Sequence, residues 1–145
     1  MTTRLLRYAL QAADLRQPLH TSIHFDGHAQ EDGSSPRTGI HQKVDRLLTQ
    51  AGCGAEEVAE GLEAPVFADL SKAILGEFHR SHALVERVYE LEDRLPSVRA
   101  KTIRDAEVRA FATDRLQAAM RFAAALYRTA WEKSGDLRVP SWLKR

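Results

Sequence analysis

Asp14-Leu15-Arg16-Gln17-Pro18-Leu19-His20 is matched further along the chain by Gly39-Ile40-His41-Gln42-Lys43-Val44-Asp45. Each stretch carries one imidazole and one carboxylate. In the first they are six residues apart around a proline. In the second the spacing of four puts His41 and Asp45 one turn apart on the same face of a helix. Two imidazoles and two carboxylates in the first third of a small chain are a donor set for a divalent ion, with zinc the expected one. The rest of the sequence reads as the scaffold that holds these two segments.

Working outward, residues from about Thr3 to Leu15 form an expected helix, with Leu5, Leu6, Ala9, Leu10, Ala12 and Ala13 on its apolar side. Pro18, lacking an amide hydrogen, ends or kinks it. From Thr21 to Thr38 the turn formers Asp26-Gly27, Asp32-Gly33-Ser34-Ser35-Pro36 and Thr38-Gly39 predict a loop. Loops of this length inside a domain tend to be functional, and this one joins the two ligand-bearing segments. Thr38 is the expected N-cap of a helix from about Gly39 to Gln50, closed by Gly52 and Gly54. A short helical turn is expected over Ala55 to Gly61.

Pro65 suits the first turn of a helix running to about Leu95, with Phe67, Leu70, Ile74, Phe78, Val85, Val88 and Leu91 as its buried stripe. Pro96 ends it. The last helix is expected from about Ala100 to Lys133, through Ile103, Val108, Phe111, Leu116, Ala119, Ala123, Leu126 and Ala130, with Trp131 as a core anchor. Gly135 stops it before the tail Val139-Pro140-Ser141-Trp142-Leu143. No useful length alternates with period two, so the fold class is all-α, with two long antiparallel helices packed against the metal segments.

At 145 residues the chain is one domain, large enough to bury a core. With 21 basic against 20 acidic residues, bulk electrostatics calls for no polyanionic partner. The single cysteine, Cys53, excludes an internal disulfide framework and has no histidine neighbour to activate it. No segment is apolar for long enough to be a transmembrane helix. Met1-Thr2-Thr3-Arg4-Leu5-Leu6-Arg7 lacks the form of a secretory signal, so the chain as written is expected to be cytoplasmic.

The wording Asp14-Leu-Arg-Gln-Pro-Leu-His20, then Ile23-His24-Phe25-Asp26-Gly27, then Gly39-Ile40-His41-x-x-x-Asp45, resembles the zinc-dependent single-strand nucleases and bacterial zinc phospholipases C. Ala124-Ala125-Leu126-Tyr127-Arg128-Thr129-Ala130-Trp131 with Gly135 is similar to the last helix of that superfamily. The resemblance implies an all-α phosphodiesterase fold, of which this chain carries the C-terminal portion as one partial domain. Residues 1–52 would be its metal segment and residues 53–145 its helical scaffold. It implies one zinc ion held by His20, His41 and Asp45. Asp14 stands where the family has a catalytic carboxylate bridging a second pair of zinc ions. The histidine expected four residues before it is Leu10 here, which cannot ligate, so the paired site is expected to be incomplete.

The implied substrate is single-stranded nucleic acid or phospholipid, with weak or no hydrolysis by this chain alone. A second chain could supply the missing N-terminal half, and members of the family are usually secreted or periplasmic. The alternative is a non-catalytic helical remnant or interaction module that keeps the fold. Of the remaining residues, His24, His28 and Asp26 are either accessory contacts of the site or solvated loop groups. His79 and His82 read as polar helix-face histidines, Asp14 could instead pair with Arg16, and Arg104, Arg109, Arg115 and Arg121 read as a solvated face.

Overall fold

The computed structural model describes residues 14–135. Their order is a 3-10 turn Pro18–Thr21, α1 (Ile40–Gln50), α2 (Ala55–Ala59), α3 (Leu70–His82), α4 (Val85–Glu90), a 3-10 turn Glu92–Arg94, and α5 (Ala106–Ser134). No strand forms among the described residues, and the class is all-α. The expected helix over residues 3–15 and the tail at 139–143 lie outside them, apart from Asp14 and Leu15.

α1 forms where the sequence predicts it, because Ile40, Val44, Leu47 and Ala51 recur at helical spacing and all are buried. They pack with Leu19, Val85, Val88, Leu91, Leu95, Ile103, Val108 and Ala112 into the main core. Gln50 closes the end of α1 by tertiary bonds. Its buried side-chain amide donates to the Ser97 and Ala100 carbonyls at 3.0 and 2.9 Å, and the Gln50 backbone carbonyl accepts from the Ile103 amide at 3.2 Å. The connection leading into α5 is thereby pinned against α1.

α5 starts later than expected, at Ala106, because Asp105 is its N-cap. The Asp105 carboxylate accepts from the Glu107 and Val108 amides, both at 3.0 Å. Arg94 grips the same carboxylate with two bonds of 2.9 Å, and Glu107 is held by Arg87 and Arg94. Hydrogen bonds from Arg94 and from the Val108 amide hold the Asp105 carboxyl below its ordinary value.

The single helix expected from Pro65 to Leu95 is broken into α3, α4 and the following 3-10 turn. Asp69, not Pro65, starts the helical run by capping the Lys72 amide at 2.9 Å. The Phe67 amide is diverted to the Thr129 hydroxyl on α5, at 2.9 Å. At the other end the Leu84 amide reaches the Ser81 carbonyl, the i→i−3 pattern that tightens a last turn, and α4 begins at the next residue.

The buried face of α3 also differs from the expected stripe. Leu70, Ile74 and Phe78 are exposed, whereas Glu77 and Ser81 are buried. The reason is an ion pair. Arg16, which the sequence offers only as an alternative partner for Asp14, reaches Glu77 at 2.5 Å, with side chains 10% and 1% exposed. Arg80 closes the other Glu77 oxygen at 2.7 Å, and the Arg16 guanidinium lies 5.0 Å over the Phe122 ring of α5. His82 adds a bond from Nδ1 to the Thr21 carbonyl at 2.9 Å. These contacts seat the Pro18–Thr21 turn against α3. Trp131, expected as a core anchor, is 79% exposed.

Two predictions follow from these charges. Glu77→Ala strands the Arg16 guanidinium in the interior, and urea unfolding should show a loss of about 3–5 kcal/mol; a loss below about 1 kcal/mol would mean that water reaches the guanidinium and solvates it. For Asp105 the folded carboxyl titrates below its unfolded value. Its stabilisation is therefore complete above the unfolded range near pH ~4 and is lost as pH falls through the folded value. Asp105→Asn should lower the melting temperature at neutral pH and lessen its fall on acidification, as followed by circular dichroism.

Candidate metal centre

Two local structures deliver the candidate ligands. His20 sits on the 3-10 turn that Pro18 opens, an N-terminal position where the missing amide hydrogen costs nothing. His41 and Asp45 sit on consecutive turns of α1. Their ligand atoms converge: His20 Nε2 and His41 Nε2 are 3.2 Å apart, and Asp45 Oδ1 and Oδ2 lie 3.6 and 3.5 Å from them respectively. Among the described residues these three form one group of potential donors within 4.8 Å of each other.

The other ring nitrogens decide what the cluster can do. His20 Nδ1 bonds the Asp14 carbonyl at 3.1 Å, and His41 Nδ1 bonds the Phe25 carbonyl at 3.0 Å. A carbonyl only accepts, so each Nδ1 must carry a hydrogen, and in the neutral rings both Nε2 lone pairs point into the cluster. Two lone pairs and a carboxylate then face one another with no donor among them, apart from the Gln17 amide, which donates to Asp45 Oδ1 at 3.1 Å. A cation, whether a metal ion or a proton, relieves that repulsion. The spacing is compatible with a metal: ligands about 2.0–2.1 Å from a tetrahedral ion stand about 3.3–3.4 Å apart. Nδ1–H donation to a backbone carbonyl is also the usual outer bond of a metal-binding histidine.

Asp14 occupies the site differently from the resemblance. Its carbonyl oxygen orients His20, while its exposed carboxylate lies outside the three-residue group and lines the adjoining cleft. Leu10 falls outside the described residues. The expected loop is built around Asp26. Its carboxylate accepts from the Gly39 amide at 2.8 Å and the His41 amide at 3.2 Å, and its carbonyl accepts from the Thr38 amide and Ser35 hydroxyl. Asp26 thus caps α1 from across the loop. Thr38 adds only a 3.4 Å contact to the Ile40 amide, and the N-cap is Gly39 with a left-handed φ of 84°. At Gly27, also left-handed, a Cβ would collide with the Pro36 ring.

The other histidines serve the loop and its seat. His24 Nδ1 accepts from the Ala29 amide at 2.9 Å, and His28 stacks on Tyr89 at 3.9 Å, so neither joins the cluster. The Tyr89 hydroxyl donates to the His24 carbonyl at 2.5 Å, and burial pushes that phenol up. His79 stays on the outer face of α3, while His82 braces the His20 turn. Gln17 and Asp26 were the supporting residues whose roles sequence reading left open. Gln17 stood in the quoted wording, but its bond to Asp45 spans 28 residues and has no local signature.

A cleft of about 310 Å³ opens beside the cluster, between the His20 turn, α1 and α5. Its wall includes Asp14, Gln17, His20 and Asp45, with Leu47, Leu48 and Phe111 as the apolar part and Arg16 and Arg115 as the cations. Comparison with family models, with curated proteins and with solved structures gives no match for this chain.

Gln17→Ala should free the Asp45 carboxylate and weaken cobalt(II) uptake by about ten-fold, the lower end of the effect of removing an outer-sphere bond. Absorption titration checks it, and an unchanged affinity would show that Gln17 does not orient a ligand.

Proposed function

We propose that the chain binds one zinc ion through His20, His41 and Asp45 and acts on phosphodiesters, slowly by the standard of a multi-zinc enzyme. The observation that carries the metal half of this reading is the pair of Nδ1 bonds to backbone carbonyls, which aim both Nε2 lone pairs at Asp45. The phosphodiester half comes from the resemblance of Gln17-Pro18-Leu19-His20 and His41-x-x-x-Asp45 to the zinc nucleases and phospholipases C.

Three protein ligands on one ion leave a fourth position for water or a substrate oxygen. The ion would supply Lewis acidity toward a phosphoryl oxygen. The residues do the rest: Gln17 steadies the Asp45 carboxylate, the Asp14 and Phe25 carbonyls hold the rings, and Asp14 presents a solvated carboxylate on the cleft wall. With leucine at position 10, the chain offers no imidazole there for a second ion beside Asp14. Single-stranded nucleic acid and phospholipid are the two substrate classes that the resemblance carries.

A second reading, a non-catalytic interaction module, draws on the exposed Leu70, Ile74, Leu75 and Phe78 of α3. Such a surface could receive a second chain, including one that completes the site.

Elemental analysis after dialysis should find close to one zinc per chain in the wild type and none in His41→Ala. Hydrolysis of bis(p-nitrophenyl) phosphate should be slow and follow zinc content across both proteins. Zinc without hydrolysis would leave the interaction reading, and absence of zinc from the wild type would remove the metal reading altogether.

A further inference from the structure

The cleft beside the cluster carries a charge pattern that the metal reading leaves unused. Arg115 was expected on a solvated face, yet its side chain is 15% exposed and lines the cleft. Its Nε and Nη2 both donate to Oδ2 of Asp114, whose side chain is 66% exposed and lies outside the cleft wall, and Nη1 has no carboxylate partner among the described residues. Arg16 lines the same cleft and is nine-tenths buried. Its terminal nitrogen is taken by Glu77, but its Nε–H is buried and has no acceptor. A buried donor left open is costly, and a charged one more so.

Neighbouring charges point the same way. Burial pushes the Arg16 guanidinium down to about 10; Glu77 opposes that shift, while Arg115 and Arg80 add to it. Glu77 is already shared between Arg16 and Arg80. The Asp14 carboxylate is the remaining negative group on the wall outside the cluster, and it is exposed. The cleft thus has a candidate cation site at its His20–Asp45 side, two guanidiniums elsewhere on its wall whose carboxylate partners Glu77 and Asp114 lie outside it, and Leu47, Leu48 and Phe111 as neutral surface.

We propose that the cleft is a two-point anion site: a ligand whose phosphate sits at the His20–His41–Asp45 cluster sets a second anionic group against Arg115, with the buried Arg16 guanidinium adding positive charge from within the wall. This rests on the metal reading above. The ligand class is a bis-anion with a short neutral spacer, since the remaining Nη1 of the Arg115 guanidinium can donate one charge-assisted bond to a phosphate or carboxylate. A phosphate ester carrying a quaternary ammonium is the class it rejects, because like charges would meet at Arg115.

The test is calorimetric titration of the zinc-loaded protein with butyl phosphate, phosphocholine and 1,4-butanediol bisphosphate, with zinc content measured before and after each run. The bisphosphate should bind about ten-fold or more tighter than butyl phosphate, as one added charge-assisted bond gives, and phosphocholine more weakly than either. In Arg115→Gln the bisphosphate advantage should fall to about two-fold, the statistical factor for two equivalent ends. Arg115→Lys, which keeps the charge without the guanidinium, should lie between them. Glutamine and lysine are both good helix formers, and thermal unfolding of each variant confirms that α5 is kept. An advantage of only about two-fold in the zinc-loaded wild type, or one that survives Arg115→Gln, overturns the subsite and leaves the metal reading standing. Failure of the wild type to take up zinc overturns both.

Discussion

The buried ion pair between Arg16 and Glu77 is the constraint from which the arrangement of the site follows. An unpaired guanidinium in a protein interior costs several kcal/mol, so the fold must bring a carboxylate to it. Glu77 arrives from α3, at 2.5 Å, with Arg80 on its other oxygen. The Phe122 ring of α5 covers the guanidinium plane. Arg16 is thus shared by the segment before His20 and by two helices of the scaffold. The Pro18–Thr21 turn is only four residues long and could not hold an imidazole in place by its own backbone bonds. Its position is inherited from Arg16 and from the His82 bond to Thr21.

The same economy operates on the other side of the cluster. The 22–39 loop has little regular structure, yet it is tied down by Asp26, whose single side chain caps α1 while its carbonyl gathers Thr38 and Ser35. Tyr89 pins the loop from α4 through the His24 carbonyl. The Phe25 carbonyl is therefore held where it can receive His41 Nδ1–H, and the Asp14 carbonyl does the same for His20. Backbone oxygens on two separate segments thus set the ring tautomers. Both Nε2 atoms are thereby turned toward the Asp45 carboxylate.

Holding α3 by its polar residues has a consequence for the surface. With Glu77 and Ser81 turned inward, Leu70, Ile74, Leu75 and Phe78 are left outward, although periodicity would place several of them in a core. Burial of a charge pair and burial of an apolar stripe compete for the same helix face here, and the charge pair prevails because stranding Arg16 costs more than exposing part of several apolar side chains.

What the sequence by itself determined was part of the short-range structure, while the equally local caps at Asp69 and Asp105 were read only from the fold. Helical spacing was enough for the all-α class and for α1, and the four-residue step placed His41 beside Asp45. Turn formers marked a loop over Thr21 to Thr38, of which Thr21 belongs to the 3-10 turn, and Gln17-Pro18-Leu19-His20 marked the segment that carries His20. Tertiary structure decided the rest. Whether His20 meets His41, whether Arg16 turns to Asp14 or Glu77, and whether Arg115 faces water or a cleft depend on partners 21, 61 and more residues away, which no local pattern encodes. The break between α3 and α4 and the exposure of Trp131 belong with these. A helix face is chosen by which burial leaves the fewest charges and hydrogen-bonding groups alone, and that sum is taken over the whole fold.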